Sequence, residues 1–271
     1  MPSTTLATRI TIGDVPICIR TESAEFHRLL EDRYTGFVGA SSNPSSPMDA
    51  IDLDMDLTVP RESGADDDVE VFCEHGLWHL RRGDFSAQFD PARRRGHVRA
   101  AANPYAIDSV LRIIHSIVLA DEGGMLLHAA SALRNGNAFI FAGVSGAGKT
   151  TITRLAPPDA TVLSDEISYI RRMPTGYRAC GTPFFGELAR GGENVAGPLT
   201  ALYFLEQGPA NRIASLSPAD AMNRLMRNIL FFARDERLVE QVFSAANDLL
   251  AAVPAYRLTF LPDQRVWELI Q

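Results

Sequence analysis

The chain has a single lysine. Of the 26 Lys and Arg among its 271 residues, 25 are arginine and the exception is Lys149. Arginine carries a planar fork and lysine a compact ammonium on a flexible stem, so one position that keeps lysine invites a mechanistic reading. Cysteine is also scarce. Cys18, Cys73 and Cys180 are odd in number and far apart, with no pair spaced to chelate a metal. This excludes a disulfide scaffold or a zinc ribbon and fits reduced thiols in a cytoplasm. No run of roughly eighteen apolar residues occurs, so no membrane-spanning helix is expected. The start, Met1-Pro-Ser-Thr-Thr, has neither a basic region nor an apolar run before Arg9, so no signal peptide is expected. Excess positive charge is missing as well: the net charge is −7 and the pI about 5.4. Without a global cationic field, nucleic acid and anionic membrane are poor partners.

The acidity is uneven. Residues 1–100 carry 17 acidic and 11 basic groups, and residues 101–271 carry 16 and 15. The densest part runs from Asp49 through Asp56 and again over Asp66-Asp67-Asp68. It lacks the glycine and distal glutamate of an EF-hand loop, so a solvated loop or strand surface is the better reading.

Alternation over 9–20 predicts a strand, Ala24–Asp32 a short helix, and Pro44-Ser45-Ser46-Pro47 a loop. Strands follow at about 51–58, 69–74, 77–82 and 85–89, with a hairpin turn at Glu74-His75-Gly76. Ile107, Val110, Leu111, Ile114, Ile117 and Val118 recur at helical spacing between Pro104 and Glu122. Met125–Leu133 and Ala138–Ala142 then flank Arg134-Asn-Gly-Asn137, a tight-turn signal. A glycine-rich loop leads into a helix that Pro157-Pro158 must stop, and a strand at about Thr161–Leu163 follows. Further strands are expected at 167–172, 177–181, 199–205 and 211–215. Ser217-Pro218 reads as N-cap and first helical residue of a helix to about Phe232. A helix over Glu236–Ala252, a strand at Tyr256–Leu261 and a short Val266–Ile270 segment close the chain. The organisation is a β-rich amino-terminal region, 1–103, followed by an α/β domain, 104–271.

Gly143-Val-Ser-Gly-Ala-Gly148-Lys149-Thr150 matches G-x-x-x-x-G-K-[ST], after an apolar strand and before a helix, the context the motif requires. Its glycines let successive backbone N–H groups face phosphate oxygens, and the following helix adds the positive end of its dipole. Gly143, Ser145, Gly146, Ala147, Gly148, Lys149, Thr150 and Thr151 are therefore the candidate ATP-binding residues. Lys149 suits the β- and γ-phosphates, and the Thr150 hydroxyl suits Mg²⁺. Asp165-Glu166 come sixteen residues after Lys149, at the end of a strand. Asp165 is the candidate metal carboxylate. A guanine-reading Asn-Lys-x-Asp is impossible with one lysine, and no transporter signature is present.

The histidine in Leu127-His128-Ala129, the hairpin into the Gly143–Thr150 loop, and Ser164-Asp165-Glu166 close behind resemble the carboxy-terminal domain of HPr kinase/phosphorylase. The resemblance covers roughly residues 120–270. It implies a P-loop kinase fold of the HPr kinase and phosphoenolpyruvate carboxykinase type. It also implies that His128, Asp165 and Glu166 lie around the γ-phosphate, one carboxylate acting as base toward an acceptor serine. Two departures stand out. Glu166 occupies a place where HPr kinases have aspartate, so base and metal ligand are not assigned between the pair. Cys180-Gly-Thr-Pro-Phe-Phe-Gly-Glu187 stands where those enzymes carry the glycine-rich signature that engages HPr. Small homologues encoded beside genes for ribosomally made peptides, such as lasso peptides, are closer in size, and some phosphorylate a precursor-peptide serine.

The expected activity is thus an ATP- and Mg²⁺-dependent kinase, with Lys149, Asp165, Glu166 and His128 catalytic, acting on a serine of a peptide or small protein. A small-molecule hydroxyl kinase and a non-catalytic ATP-binding module remain open alternatives, as does homo-oligomerisation. Gly181–Glu187 is read as a substrate-side loop exposing aromatics, with Glu187 reaching toward the metal, or alternatively as a packed loop. Arg190, Arg224 and Arg227 are candidates for clamping phosphate or an acidic peptide, but the last two lie three apart on one helix and surface ion pairs are the better reading.

Overall fold

The computed structural model of the protein describes residues 5–39, 50–58, 68–186 and 191–270. The expected loop at 44–47, together with Asp66, Asp67, Glu187 and Arg190, lies outside the described residues. The chain forms two compact units: Met1–Val118 with Phe231–Val239, and Leu119–Leu230 with Glu240–Gln271.

The first unit is built on a seven-stranded sheet. Its strands are β1 (Leu6–Ile12), β2 (Val15–Thr21), β3 (Ile51–Thr58), β4 (Glu70–Glu74), β5 (Leu77–Arg82), β6 (Phe85–Asp90) and β7 (Arg95–Ala101), in the order β1-β2-β3-β7-β6-β5-β4. The single strand expected over 9–20 is in fact a hairpin. Gly13 and Asp14 both take positive φ, 58° and 62°, the two-residue turn that matches strand twist. Helix α1 (Ala24–Arg33) starts at Ser23, whose side chain accepts from Phe26 N, and buries Phe26 and Leu30. The β3 aspartates share one face at period two and are paired: Asp52 with Arg20 at 2.6 Å, Asp54 with Arg95 at 3.1 Å, Asp56 with His97 at 3.0 Å. Asp52, Asp54 and Asp56 of the acidic run thus form a ladder of paired carboxylates along one face of β3. Deeper in this unit the Tyr34 hydroxyl donates to Asp108 Oδ1 at 2.8 Å, and Arg33 pairs with the other oxygen of the same buried carboxylate. Asp108 belongs to α2 (Pro104–Asp121).

The second unit is a mixed α/β layer. Strands β8 (Met125–Arg134), β9 (Asn137–Ala142), β10 (Ala160–Ser164), β11 (Ile167–Met173), β12 (Gly176–Cys180), β13 (Ala196–Gln207), β14 (Arg212–Ser215) and β15 (Ala255–Phe260) form one sheet. Its spine is the parallel trio β9-β13-β15, with Phe204 opposite Ala142 and Leu202 opposite Ala255. One face packs Leu127, Ile140, Leu202 and Phe204 against Leu225 of α4 (Pro218–Met226) and Ala246 and Leu249 of α5 (Glu236–Ala252). The other packs Phe139, Phe141 and Tyr203 against Ile152 of α3 (Lys149–Arg154) and against Val266 and Trp267 of a closing 3-10 turn (Gln264–Glu268). The Trp267 indole donates to Ile152 O at 3.1 Å, bracing α3. Helix α4 begins where expected, with Ser217 as N-cap and Pro218 first, but ends at Met226 instead of near Phe232. The reason is competition: Asn228–Leu230 bond to β8, with Leu127 bridged to Ile229.

Candidate functional site

The glycine loop leaves the sheet at the carboxyl end of β9, where open α/β sheets place their ligands. It turns on an Ala147 N to Val144 O bond of 3.1 Å and enters α3 through Gly148, the N-cap, at φ 109°. A Cβ on Gly148 would stand 2.6 Å from Phe260 Cζ, at the end of the neighbouring parallel strand. The backbone curl and the close approach both require glycine here. Lys149 is nearly buried, and its ammonium donates to Gly143 O at 2.8 Å and Val144 O at 3.3 Å.

The acidic pair sits at a bend between β10 and β11. Both strands run antiparallel to β8 along one edge, with Ser164 opposite Ser131, Ile167 opposite His128, and Ala129 N donating to Glu166 O at 2.9 Å. Adjacent residues of a straight strand point to opposite faces. The bend, pinned by Glu166 N and Ile167 N on the Ser164 hydroxyl at 3.2 and 2.8 Å, brings Asp165 and Glu166 to the same side. Asp165 is buried and Oδ1 accepts from Gly186 N at 3.1 Å. The Glu166 carboxylate also lies on Gly186, where a Cβ would meet Oε2 at 2.6 Å. The segment carrying Gly186 is held by Thr182, whose N donates to Leu163 O and whose hydroxyl donates to Ile167 O.

These elements enclose a cavity of about 340 Å³ lined by His128, Ser145, Gly146, Gly148, Lys149, Thr150, Thr151, Asp165, Glu166, Gly186 and Gln207. All four candidate catalytic residues and six of the eight candidate phosphate-binding residues therefore line one space. Gly143 and Ala147 do not: Ala147 is buried against the α3 face, and Gly143 is the foot of the loop. Phe184 is fully buried and Phe185 half-buried, which favours the packed reading of this turn over one that exposes both aromatics. Arg224 makes the expected surface ion pair, with Glu206 at 2.6 Å, and does not line the cavity. Arg227, at the exposed C-cap of α4, does not line it either.

Two residues escaped sequence reasoning. Gln207, at the carboxyl end of β13, donates from Nε2 to Gly146 O at 2.7 Å and lines the cavity. Asn228, just past α4, accepts from Gly143 N through Oδ1 at 3.2 Å. A polar residue directly after the parallel strand beside the loop strand is a usable signal for the first. No sequence pattern marks the second.

The oxygen-rich donor set of Thr150, Asp165 and Glu166 suits a hard divalent cation such as Mg²⁺. Among the described residues no group of three His, Cys, Asp or Glu gathers to hold a metal unaided. Mg²⁺ is commonly held by one or two carboxylates together with substrate phosphates, so this donor set fits it.

Fold and site together define an α/β domain with a strand, glycine loop and helix unit facing a paired acidic bend. Residues 102–271 match the family model described as ScmC, SynChlorMet cassette protein ScmC. The chain belongs to that family. No curated protein matches the sequence. No helix among the described residues is long and apolar enough to cross a membrane.

Proposed function

We propose that this protein is an ATP- and Mg²⁺-dependent phosphotransferase of the HPr kinase type, moving the γ-phosphate to a serine hydroxyl of a peptide or small protein. The observation that carries the proposal is convergence: glycine loop, Lys149, Thr150, both carboxylates and His128 line a single cavity.

Phosphoryl transfer asks the protein for charge neutralisation and alignment and little covalent work. The loop amides from Ser145 to Thr150 and the start of α3 would cradle the phosphates. Lys149 would supply a point charge at the β- and γ-phosphates. Its present bonds to Gly143 O and Val144 O hold the ammonium at the loop. Mg²⁺, when bound by Thr150 and Asp165, would offset charge on the phosphate oxygens. Asp165 is already oriented by Gly186 N, whereas Glu166 is the more accessible carboxylate and the better candidate to accept the serine proton. His128 faces the same space from β8 and would orient the γ-phosphate or the Glu166 carboxylate.

The test is incubation of the protein with Mg-ATP and the peptides encoded beside its gene, read by mass spectrometry for a phosphate on serine. The expected result is transfer by the native chain and none by Lys149→Ala. Transfer by Lys149→Ala at the native rate would sink the proposal. Phosphorylation of a free serine or sugar but of no peptide would replace the acceptor class.

A further inference from the structure

We infer that Asn228 is a positioning residue that fixes the foot of the glycine loop against the strand carrying His128. For its kinetic consequence this rests on the phosphotransfer proposal.

The inference begins with the edge of β8. From Arg134 back to Ala129 that edge pairs with β9, ending at Ala129 opposite Ala142. There β9 leaves the sheet to become the loop, and the edge of β8 over Leu126–His128 would be left bare. Asn228–Leu230 takes it over: His128 N donates to Asn228 O at 2.7 Å and Leu230 N donates to Leu126 O at 2.9 Å. Asn228 stands at the changeover, and its side chain reaches across it. Oδ1 accepts from Gly143 N, the first amide of the loop, and Nδ2 donates to Arg224 O at 2.8 Å. One nearly buried residue thus bonds through its backbone to His128 and through its side chain to the loop.

The loop tip is held separately, by Gln207 of β13, whose Nε2 donates to Gly146 O; the tie from the segment after α4 is at the foot. The Gly143 N bond to Oδ1 is half-buried and is the direct tie of the loop foot to this segment, so without it the loop would drift relative to His128.

Two variants separate the bonds. Asn228→Asp keeps an acceptor for Gly143 N and loses the donor to Arg224 O, whereas Asn228→Ala loses both. Both are expected to lower the unfolding midpoint. Only Asn228→Ala is expected to lower kcat for peptide phosphorylation, roughly ten- to a hundredfold, with KM for Mg-ATP changing much less, because a small misplacement of reacting groups weighs on the chemical step. In a His128→Ala background the further loss should be small, since residues acting as a unit do not give multiplicative effects. A kcat for Asn228→Ala within about twofold of the native value, or equal kcat losses in both variants, overturns the inference. Hydrogen exchange over residues 143–150 is read on the same proteins: faster exchange in Asn228→Ala than in Asn228→Asp is expected, and equal exchange overturns the clamp. If the native chain transfers no phosphate, the proposed function fails while the exchange measurement still decides whether Asn228 holds the loop.

Discussion

Gly148→Ala is the substitution whose effect the structure determines most directly. At φ 109° a residue with a side chain is strained, at about 1–2 kcal/mol. The new methyl would also stand 2.6 Å from Phe260 Cζ and 3.1 Å from Cε1. Phe260 is buried in the cluster with Phe141, Ile152 and Trp267, so its ring has no free space to enter and overpacking adds about 1–3 kcal/mol. Together the two effects amount to about 2–5 kcal/mol of destabilisation. The chain has two tryptophans, Trp78 in the first unit and Trp267 in the second. In a Trp78→Phe background the fluorescence of Trp267 reports urea unfolding of the second unit alone. A cycle with Phe260→Leu separates the causes: the steric share of about 1–3 kcal/mol should appear as coupling, and the backbone share should persist. A destabilisation under about 0.5 kcal/mol, or no coupling to Phe260, would refute the reasoning.

Two further outcomes follow from burial and charge. Burial first, then the nearby Asp108 carboxylate and its hydrogen bond, raise the Tyr34 phenol well above its usual value, and burial pushes Tyr203 up to about 12. Above about pH 10 the unfolded chain releases these protons while the folded chain keeps them, so stability is full below that pH and falls as pH rises toward the folded values. Urea midpoints measured from pH 9 to 11 should decline, and Tyr34→Phe should flatten the decline in the first unit while costing about 1–3 kcal/mol at neutral pH; an unchanged slope would count against the assignment. Amine acylation can mark only Lys149 and the α-amino group. Because Lys149 is nearly buried and bonded to Gly143 O and Val144 O, it should react slowly, and more slowly still with Mg-ATP present; equal labelling with and without nucleotide in a mass-spectrometric time course would contradict its place in the phosphate site.

Much of the architecture can be read from short-range signals. The Asn135-Gly136 and His75-Gly76 turns, the Ser217-Pro218 helix start and the span of α5 all depend on residues close in sequence. β7 is the strand that reading misses. Its buried positions are Gly96, Val98, Ala100 and Ala101, too small to stand out beside Arg95, His97 and Arg99. The Gly13-Asp14 turn is marked by a change of phase, with apolar residues at Ile10 and Ile12 before it and at Val15, Ile17 and Ile19 after it, which a single-strand reading of 9–20 overlooks. In the site, the loop and its acidic pair are visible as patterns. That Asp165 and Glu166 face one cavity is not, since a straight strand would have divided them. Asn228 and Gln207 depend on distant partners, Gly143 and Gly146; only the place of Gln207 at the end of its strand signals it, and no local pattern announces Asn228.

The irregularity between Val162 and Ser164, where the pairing of β10 with β8 shifts by one residue, has a consequence for sequence length. Before it, each β10 residue faces a β8 partner one place earlier than the alignment that β11 then keeps through His128. Leu163 is the spare residue that absorbs this offset. The distance in sequence from the glycine loop to the carboxylates is therefore a mechanical dimension of the sheet. A deletion at Leu163 would leave Val162 opposite Ala132 and Ser164 opposite Ser131 in an unbroken ladder, whereas a deletion at a paired residue of β10 would break the alignment on one side of the irregularity. A relative with one residue fewer here would keep the carboxylates opposite the same β8 positions by having no irregularity, so a difference of one in this spacing would mark where the ladder carries its spare residue.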